Sequence, residues 1–400
     1  MFRAKALILA TGGIGKAYKV TSNSWEYTGD GHTLDYDAGA ERIDMKFVQF
    51  HPTGMVWPPS VRGILVTEGV RGEGAVLRNS TGNRFMFGDI PDNYKPQTAK
   101  DEEEGFRYVL GDKSANRPPE LLTRDHVARC IVREVKEGRG SPHGGVFLEL
   151  QTFAEWFGKK GKFDAAAHWK KKLPSMYHQF KELGGLDITK EPMEVGPTTH
   201  YMMGGVRVDS DSQMSRIPGL FACGECAAGI NGANRLGGNS LSDLLVLGKR
   251  AGEYAKESSV GRVHADQVDA AARWALEPFE RTGDENPFQV QQDLQDMMQD
   301  LVGIVRREDE MLRALDGLQQ LRARAAQCKA PGNREFNPGW HTAMDLHNLL
   351  TVSEGITKAA LVRKESRGAQ FRDDYRGRTR RTSSAGRVRP RSTARRGSCA

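Results

Sequence analysis

An α/β domain, interrupted by an α+β segment and followed by a helical bundle, is the fold class that this 400-residue sequence predicts. Three observations point there. First, Leu220 to Cys223, the pair Gly224-Glu225, a Gly- and Asn-rich loop and the stretch from Ser240 to Ala255 read as strand, glycine loop and helix. Second, residues from about Phe47 to Val195 mix short β-type runs with helical periodicity. Third, beyond residue 258, apolar positions recur at i, i+3 and i+4 in three stretches broken by Pro-Gly and Asn-Pro turns.

The totals exclude several classes. No apolar run approaches 18 residues, so no membrane-spanning segment is expected, and no secretion signal opens the chain. The net charge of +7 is misleading, because residues 375–400 hold nine Arg and no acidic residue, which leaves residues 1–374 at −2. Nucleic acid is therefore not an expected partner. Cys223 and Cys226 form a CxxC with neither a second pair nor a nearby His. Zinc takes about four ligands, so no metal site is expected, and core packing in a reducing compartment is the reading.

In chain order, Lys5 to Gly13 reads as a buried strand ending in Gly12-Gly13, and Asp30 to Ala40 as a helix. Met45 to Gly54 follows as a strand, with Phe47, Gln49 and His51 on one face and His51 held extended by Pro52. Ile64 to Val66 would place Thr67, Glu68 and Arg71 directly after an apolar strand, where polar groups can face a site. Asp89 to Pro119 is long and charged, which suggests a surface excursion. Leu122 to Arg129 looks like a helix start with Thr123 as N-cap, and by itself Arg124 reads as a surface partner of Asp125. Val146 to Leu150 is a strand and Phe163 to Leu183 mostly helix.

His200 lies in a turn before Gly204-Gly205, and Val206 to Val208 is β-type. Ser240-Leu241-Ser242-Asp243 reads as a capping box, with Leu241, Leu244, Leu245, Gly248, Ala251, Gly252 and Ala255 on one helical face. A glycine loop entering a helix aims N–H groups at an anion, and Arg235 within it offers a fork suited to a carboxylate. Taken alone, the same loop reads as an ordinary βα turn with one surface Arg. Helices are expected over His264–Phe279, Pro287–Cys328 and Trp340–Lys364, with Leu294, Met297, Met298, Leu301, Ile304 and Val305 as core. After SRGAQFRDDY, the Arg-rich tail has no aliphatic residue larger than Val, resembles translation in another frame, and is expected to be disordered.

The motifs HYMMGG, FACGE and NGANRLGGNSL, in this order and spacing, resemble the flavoprotein subunit of succinate dehydrogenase and fumarate reductase over roughly residues 4–374. L-Aspartate oxidase shares many of them and is the alternative. The resemblance implies an incomplete, Rossmann-like FAD-binding domain (1–46 and 196–257). It also implies an inserted α+β capping domain (47–195), a C-terminal helical bundle (258–366) and a basic tail (367–400). FAD is the implied cofactor, with Gly12, Gly13, Asp30, Glu225, Ser240 and Leu241 as contact positions. His51, Thr67, His200 and Arg235 match the clamps for the two substrate carboxylates. Arg124 matches the proton-transfer residue, with Glu68 and Arg71 as its relay.

The implied reaction is oxidation of succinate to fumarate. The implied partners are an iron–sulfur subunit and membrane-anchor subunits, with the protein peripheral on the cytoplasmic face of the cell membrane. The family's opening GxGxxG unit, and the His that carries flavin in many members, are absent from this sequence. The expectation is that the chain as written is inactive.

Overall fold

The computed structural model describes residues 4–159, 164–257 and 265–377. The first half of the chain forms β1 (Leu7–Leu9), α1 (Asp30–Asp37), β2 (Arg42–Ile43), β3 (Val48–Met55), α2 (Glu68–Gly72), β4 (Val76–Arg78), α3 (Glu102–Val109), α4 (Arg124–Lys136), β5 (Val146–Glu149), α5 (Gln151–Gly158), α6 (Ala165–Lys172) and α7 (Pro174–Gly184). Then come β6 (Met193–Met202), β7 (Gly205–Val206), β8 (Leu220–Ala222), α8 (Asn239–Ala255), α9 (Ala265–Glu280), α10 (Pro287–Leu301), β9 (Val305–Arg306), α11 (Glu308–Ala325), α12 (Pro338–Val362) and β10 (Phe371–Arg372). The chain divides into two compact units. The first holds residues 1–19, 23–49 and 201–400, and the second holds 20–22 and 50–200.

In the first unit β1 runs parallel to β8, with Leu7 opposite Leu220 and Leu9 opposite Ala222. The β8 strand is buried throughout, as its apolar run predicts. The β1 strand is not: Leu9 is buried, while Leu7 is 54 % exposed and Ile8 37 %. The capping box also fails. Helix α8 begins at Asn239 after a left-handed Gly238, with no side-chain cap, and Asp243 is instead buried, accepting from the Tyr201 hydroxyl at 3.3 Å. The buried stripe of α8 is Asp243, Leu247 and Ala251, whereas Leu241, Leu244 and Leu245 are exposed. This helix is apolar on two faces, and among the described residues the one against β1, β8 and the turn Gly224–Cys226 is covered.

The bundle has one more break than predicted. Residues 302–307 divide the second helical stretch into α10 and α11, and β9 pairs there with β10. Val290, Leu294 and Met298 of α10 are buried, as are Met311 and Leu318 of α11 and Leu346, Leu349 and Ile356 of α12. Met297, Leu301 and Val305, expected in the core, are only half-buried. The tail beyond Gly377 lies outside the described residues.

The second unit is built on a four-stranded sheet of order β3-β6-β5-β4. Its β5 is antiparallel to both β4 and β6. All eight residues of β3 are buried, so the strand is covered on both faces and does not expose alternate residues. One core joins Val76 and Leu148 of the sheet to Ile131, Phe153 and Trp169 of the helices. The excursion over 89–119 is not all surface. Asp101 caps α3 by accepting from the Glu104 N–H, and the helix drives Phe106 into this core, edge-on to Phe153 at 5.3 Å. Thr67, Glu68 and Arg71 sit on α2, not at the end of a regular strand; only a bridge from Leu65 to Gly54 precedes them.

Candidate active site

Two helix starts carry the charged residues of the second unit. Thr67 stands at the N-cap of α2 and Thr123 at that of α4, and neither hydroxyl makes a capping bond. The first residue of each helix is then a functional candidate, Glu68 on α2 and Arg124 on α4. The Arg124 Nε donates to Glu68 Oε2 at 3.2 Å, and Arg71 Nη2 lies 3.6 Å from the same oxygen. Arg124 therefore does not pair with Asp125, which binds Arg129 at 2.9 Å instead. Arg71 is fully buried, and its Nη1 donates to the Glu120 carbonyl.

These two guanidiniums keep donors that the protein does not use. The Nε and Nη2 of Arg71 and the Nη1 of Arg124 are buried without an acceptor among the described residues. Unpaired buried donors cost about 1–3 kcal/mol each, more when charged. Burial pushes Arg71 down to about 10, against the raising effect of Glu68, and Arg124 lowers it further.

His51 faces the same charges. Burial holds it well below the usual imidazole range, and Arg71, Arg124 and His200 push the same way. The Thr53 N–H donates to His51 Nδ1 at 3.3 Å, while the Thr53 hydroxyl donates to the Val66 carbonyl at 2.8 Å. Nδ1 is therefore an acceptor, which leaves the ring proton on Nε2. The His51 and His200 rings meet edge-on at 5.5 Å, and Ser22 Oγ lies 2.9 Å from His200 Nδ1. The outcome is a neutral imidazole donor beside two guanidiniums, a set suited to carboxylate oxygens.

The first unit holds the remaining candidates. Gly12 takes φ +76°, and a Cβ there would stand 2.8 Å from the Tyr27 ring; a Cβ on Gly13 would stand 2.0 Å from Glu225 Oε1. Both glycines are thus required by close approach. Glu225 accepts from the Met202 N–H at 2.8 Å, and burial pushes its carboxyl up to about 7. Asp30 opens α1 and accepts from Thr28 at 2.8 Å and from Asn348 at 2.5 Å. Arg235 is buried, 3.2 Å from Ser240 Oγ and 3.4 Å from Gln49 Oε1, with its guanidinium over Tyr201 at 4.3 Å. At the start of α8 the Leu241 N–H donates to the Gly238 carbonyl at 3.0 Å. A glycine cradle beside a protonatable carboxyl fits a hydroxyl-bearing cofactor such as FAD.

Two clusters lie outside the residues that the sequence singles out. One is Glu120, fully buried and gripped by both arms of Arg84. A Glu within a Pro-Pro-Glu run is the only sequence hint of it. The other joins Asp89, His126 and Cys130, whose ligand atoms lie within 4.8 Å of one another. Here the thiol donates to Asp89 Oδ2 at 2.8 Å, Arg133 donates to the same oxygen at 2.8 Å, and the imidazole meets the Asp89 carbonyl at 2.6 Å. The trio satisfies itself and reads as a lock between α4 and the turn before Ile90.

The sequence model of the FAD binding domain matches residues 1–241, and that of the fumarate reductase flavoprotein C-terminal region matches residues 291–384. A CoM/CoB fumarate reductase subunit of Methanothermobacter marburgensis is 39 % identical, over 94 % of this chain and 62 % of that protein. The succinate dehydrogenase flavoprotein subunit of Coxiella burnetii is 36 % identical, over 94 % of this chain and 60 % of that one. Among solved structures, Mycobacterium smegmatis Sdh1 in complex with UQ1 superposes with TM-score 0.77 at 53 % identity, covering 94 % of this chain and 57 % of that one. This chain thus spans about three fifths of the length of its relatives. It is a FAD-binding chain and belongs to the flavoprotein family of succinate dehydrogenases and fumarate reductases.

Proposed function

We propose that this chain carries the dicarboxylate chemistry of a succinate:fumarate oxidoreductase. The observation behind this reading is the set of buried, unpaired N–H donors on Arg71 and Arg124 beside a neutral His51. Such donors suit an anionic ligand, and a dicarboxylate is one. His51, through Nε2–H, and the Thr67 hydroxyl, which makes no capping bond, hold one carboxylate. In the same unit His200 is the candidate for the other, and Arg235, in the first unit, is proposed as a carboxylate-binding residue. Orienting the substrate in this way lowers the entropic part of the barrier.

Arg124 takes or gives the substrate proton. A guanidinium is a poor base because its ordinary pKa lies above about 12. It works here because Glu68 Oε2 stands at its Nε, with Arg71 Nη2 3.6 Å from the same oxygen, so the proton has a carboxylate to go to. FAD supplies the two-electron acceptor when bound, and Gly12, Gly13, Asp30, Glu225, Ser240 and Leu241 would hold it. An iron–sulfur subunit and membrane-anchor subunits are the proposed partners, with the chain peripheral on the cytoplasmic face of the membrane. Two relatives are named as subunits, which supports this, and no described helix is long and apolar enough to cross a membrane. The test is dye reduction by flavin-loaded protein offered succinate, with L-aspartate alongside. Turnover of succinate alone is expected, and a preference for L-aspartate would reject the reading.

A further inference from the structure

We infer that Glu120, clamped by Arg84, is a positioning residue for the proton relay. This rests on the proposed dicarboxylate reading and extends it to residues that touch no substrate. The Glu120 carboxylate accepts from Arg84 Nε at 2.7 Å and from Arg84 Nη2 at 2.8 Å, and also faces the Leu77 N–H at 3.4 Å. Such a bidentate fork fixes orientation as well as distance. Arg84 is itself held by Glu102 at 3.0 Å and lies over the rings of Phe87 and Phe106. Glu120 is thereby pinned to β4 and the turn beside it.

That pin acts on the relay twice. The Glu120 backbone carbonyl is the acceptor for Arg71 Nη1, and it is the only hydrogen-bond acceptor the described residues offer that guanidinium. Arg71 is aimed by this carbonyl and by the longer ion pair to Glu68. Glu120 also lies in the helical turn Pro119–Leu121, closed by the Leu122 N–H on the Pro119 carbonyl, just before α4 begins at Arg124. One buried residue thus bears on both guanidiniums that meet Glu68, through its own carbonyl at Arg71 and through the turn that leads into Arg124. Its negative charge also favours the protonated form of Arg71.

Glu120→Gln keeps the shape but loses the charge and one arm of the fork. Measured on flavin-loaded protein, kcat is expected to fall by about tenfold or more, as for a misplaced proton relay. KM for succinate should stay within about twofold, and the primary deuterium isotope effect should rise as proton transfer becomes limiting. The pH at which activity is half-maximal should also shift. Arg84→Lys, which keeps the charge but loses the fork, should move the same readouts less. Unchanged kcat, a loss that only tracks flavin content or melting temperature, or failure of both variants to fold would each overturn the inference. The unsubstituted protein is the control: if it does not turn over succinate, the dicarboxylate reading has failed, not the positioning.

Discussion

Arg124 shows how one side chain changes meaning between sequence and structure. Its neighbour Asp125 is the obvious partner in the sequence, yet Asp125 binds Arg129 and Arg124 reaches Glu68, 56 positions away. Arg124→Lys would keep the charge but lose the planar head that meets Glu68 through Nε. Turnover is expected to drop by about 10²-fold or more with flavin content unchanged, checked by steady-state kinetics and the flavin absorbance band. Glu225 gives a prediction in stability. Its folded pKa is raised from 4.5 to about 7, so its contribution is fully present below pH 4.5 and lost as pH rises through about 7. Glu225→Gln should flatten the pH dependence of the melting temperature across that window, measured on flavin-free protein.

At the scale of elements, the α3 helix decides whether the excursion over 89–119 is decoration or structure. Asp101 caps it, Glu102 reaches Arg84, and Phe106 packs against Phe153 and Trp156. The helix is thus tied to the same core that supports α4 and its Arg124. Phe106→Ala should lower the stability of the second unit by about 3–5 kcal/mol, read from urea unfolding followed by tryptophan fluorescence. Little change would mean that the excursion is dispensable. Polar composition hides this anchor, because one buried aromatic among charged neighbours leaves no periodic signal.

For the whole molecule, uncovered apolar surface is the governing feature. Leu7 and Ile8 on β1, and Leu241, Leu244, Leu245 and Val246 on α8, are exposed in the first unit. Patches of this kind mark an interaction surface or an aggregation liability. The chain by itself should bind the dye ANS and associate with rising concentration. Dye fluorescence and light scattering check both, and Leu245→Glu should reduce the association. A monodisperse 400-residue protein that leaves the dye dark would contradict this expectation.

The sequence alone carried the α/β class, the buried β8 strand and the helical bundle. Apolar periodicity and glycine punctuation are local signals, and long ordered motifs preserve residue identity. It misplaced the Ser240 capping box and the buried face of α8, and Arg124 read by itself pointed to Asp125, whereas the resemblance tied it to Glu68. Tertiary structure decided those points, because burial of a helix face and choice of an ion partner depend on neighbours distant in sequence. The same holds for Glu120: its side chain meets Arg84 36 positions away, and its carbonyl meets Arg71 49 positions away. No spacing rule reaches that far, so only the folded chain shows what aims the relay.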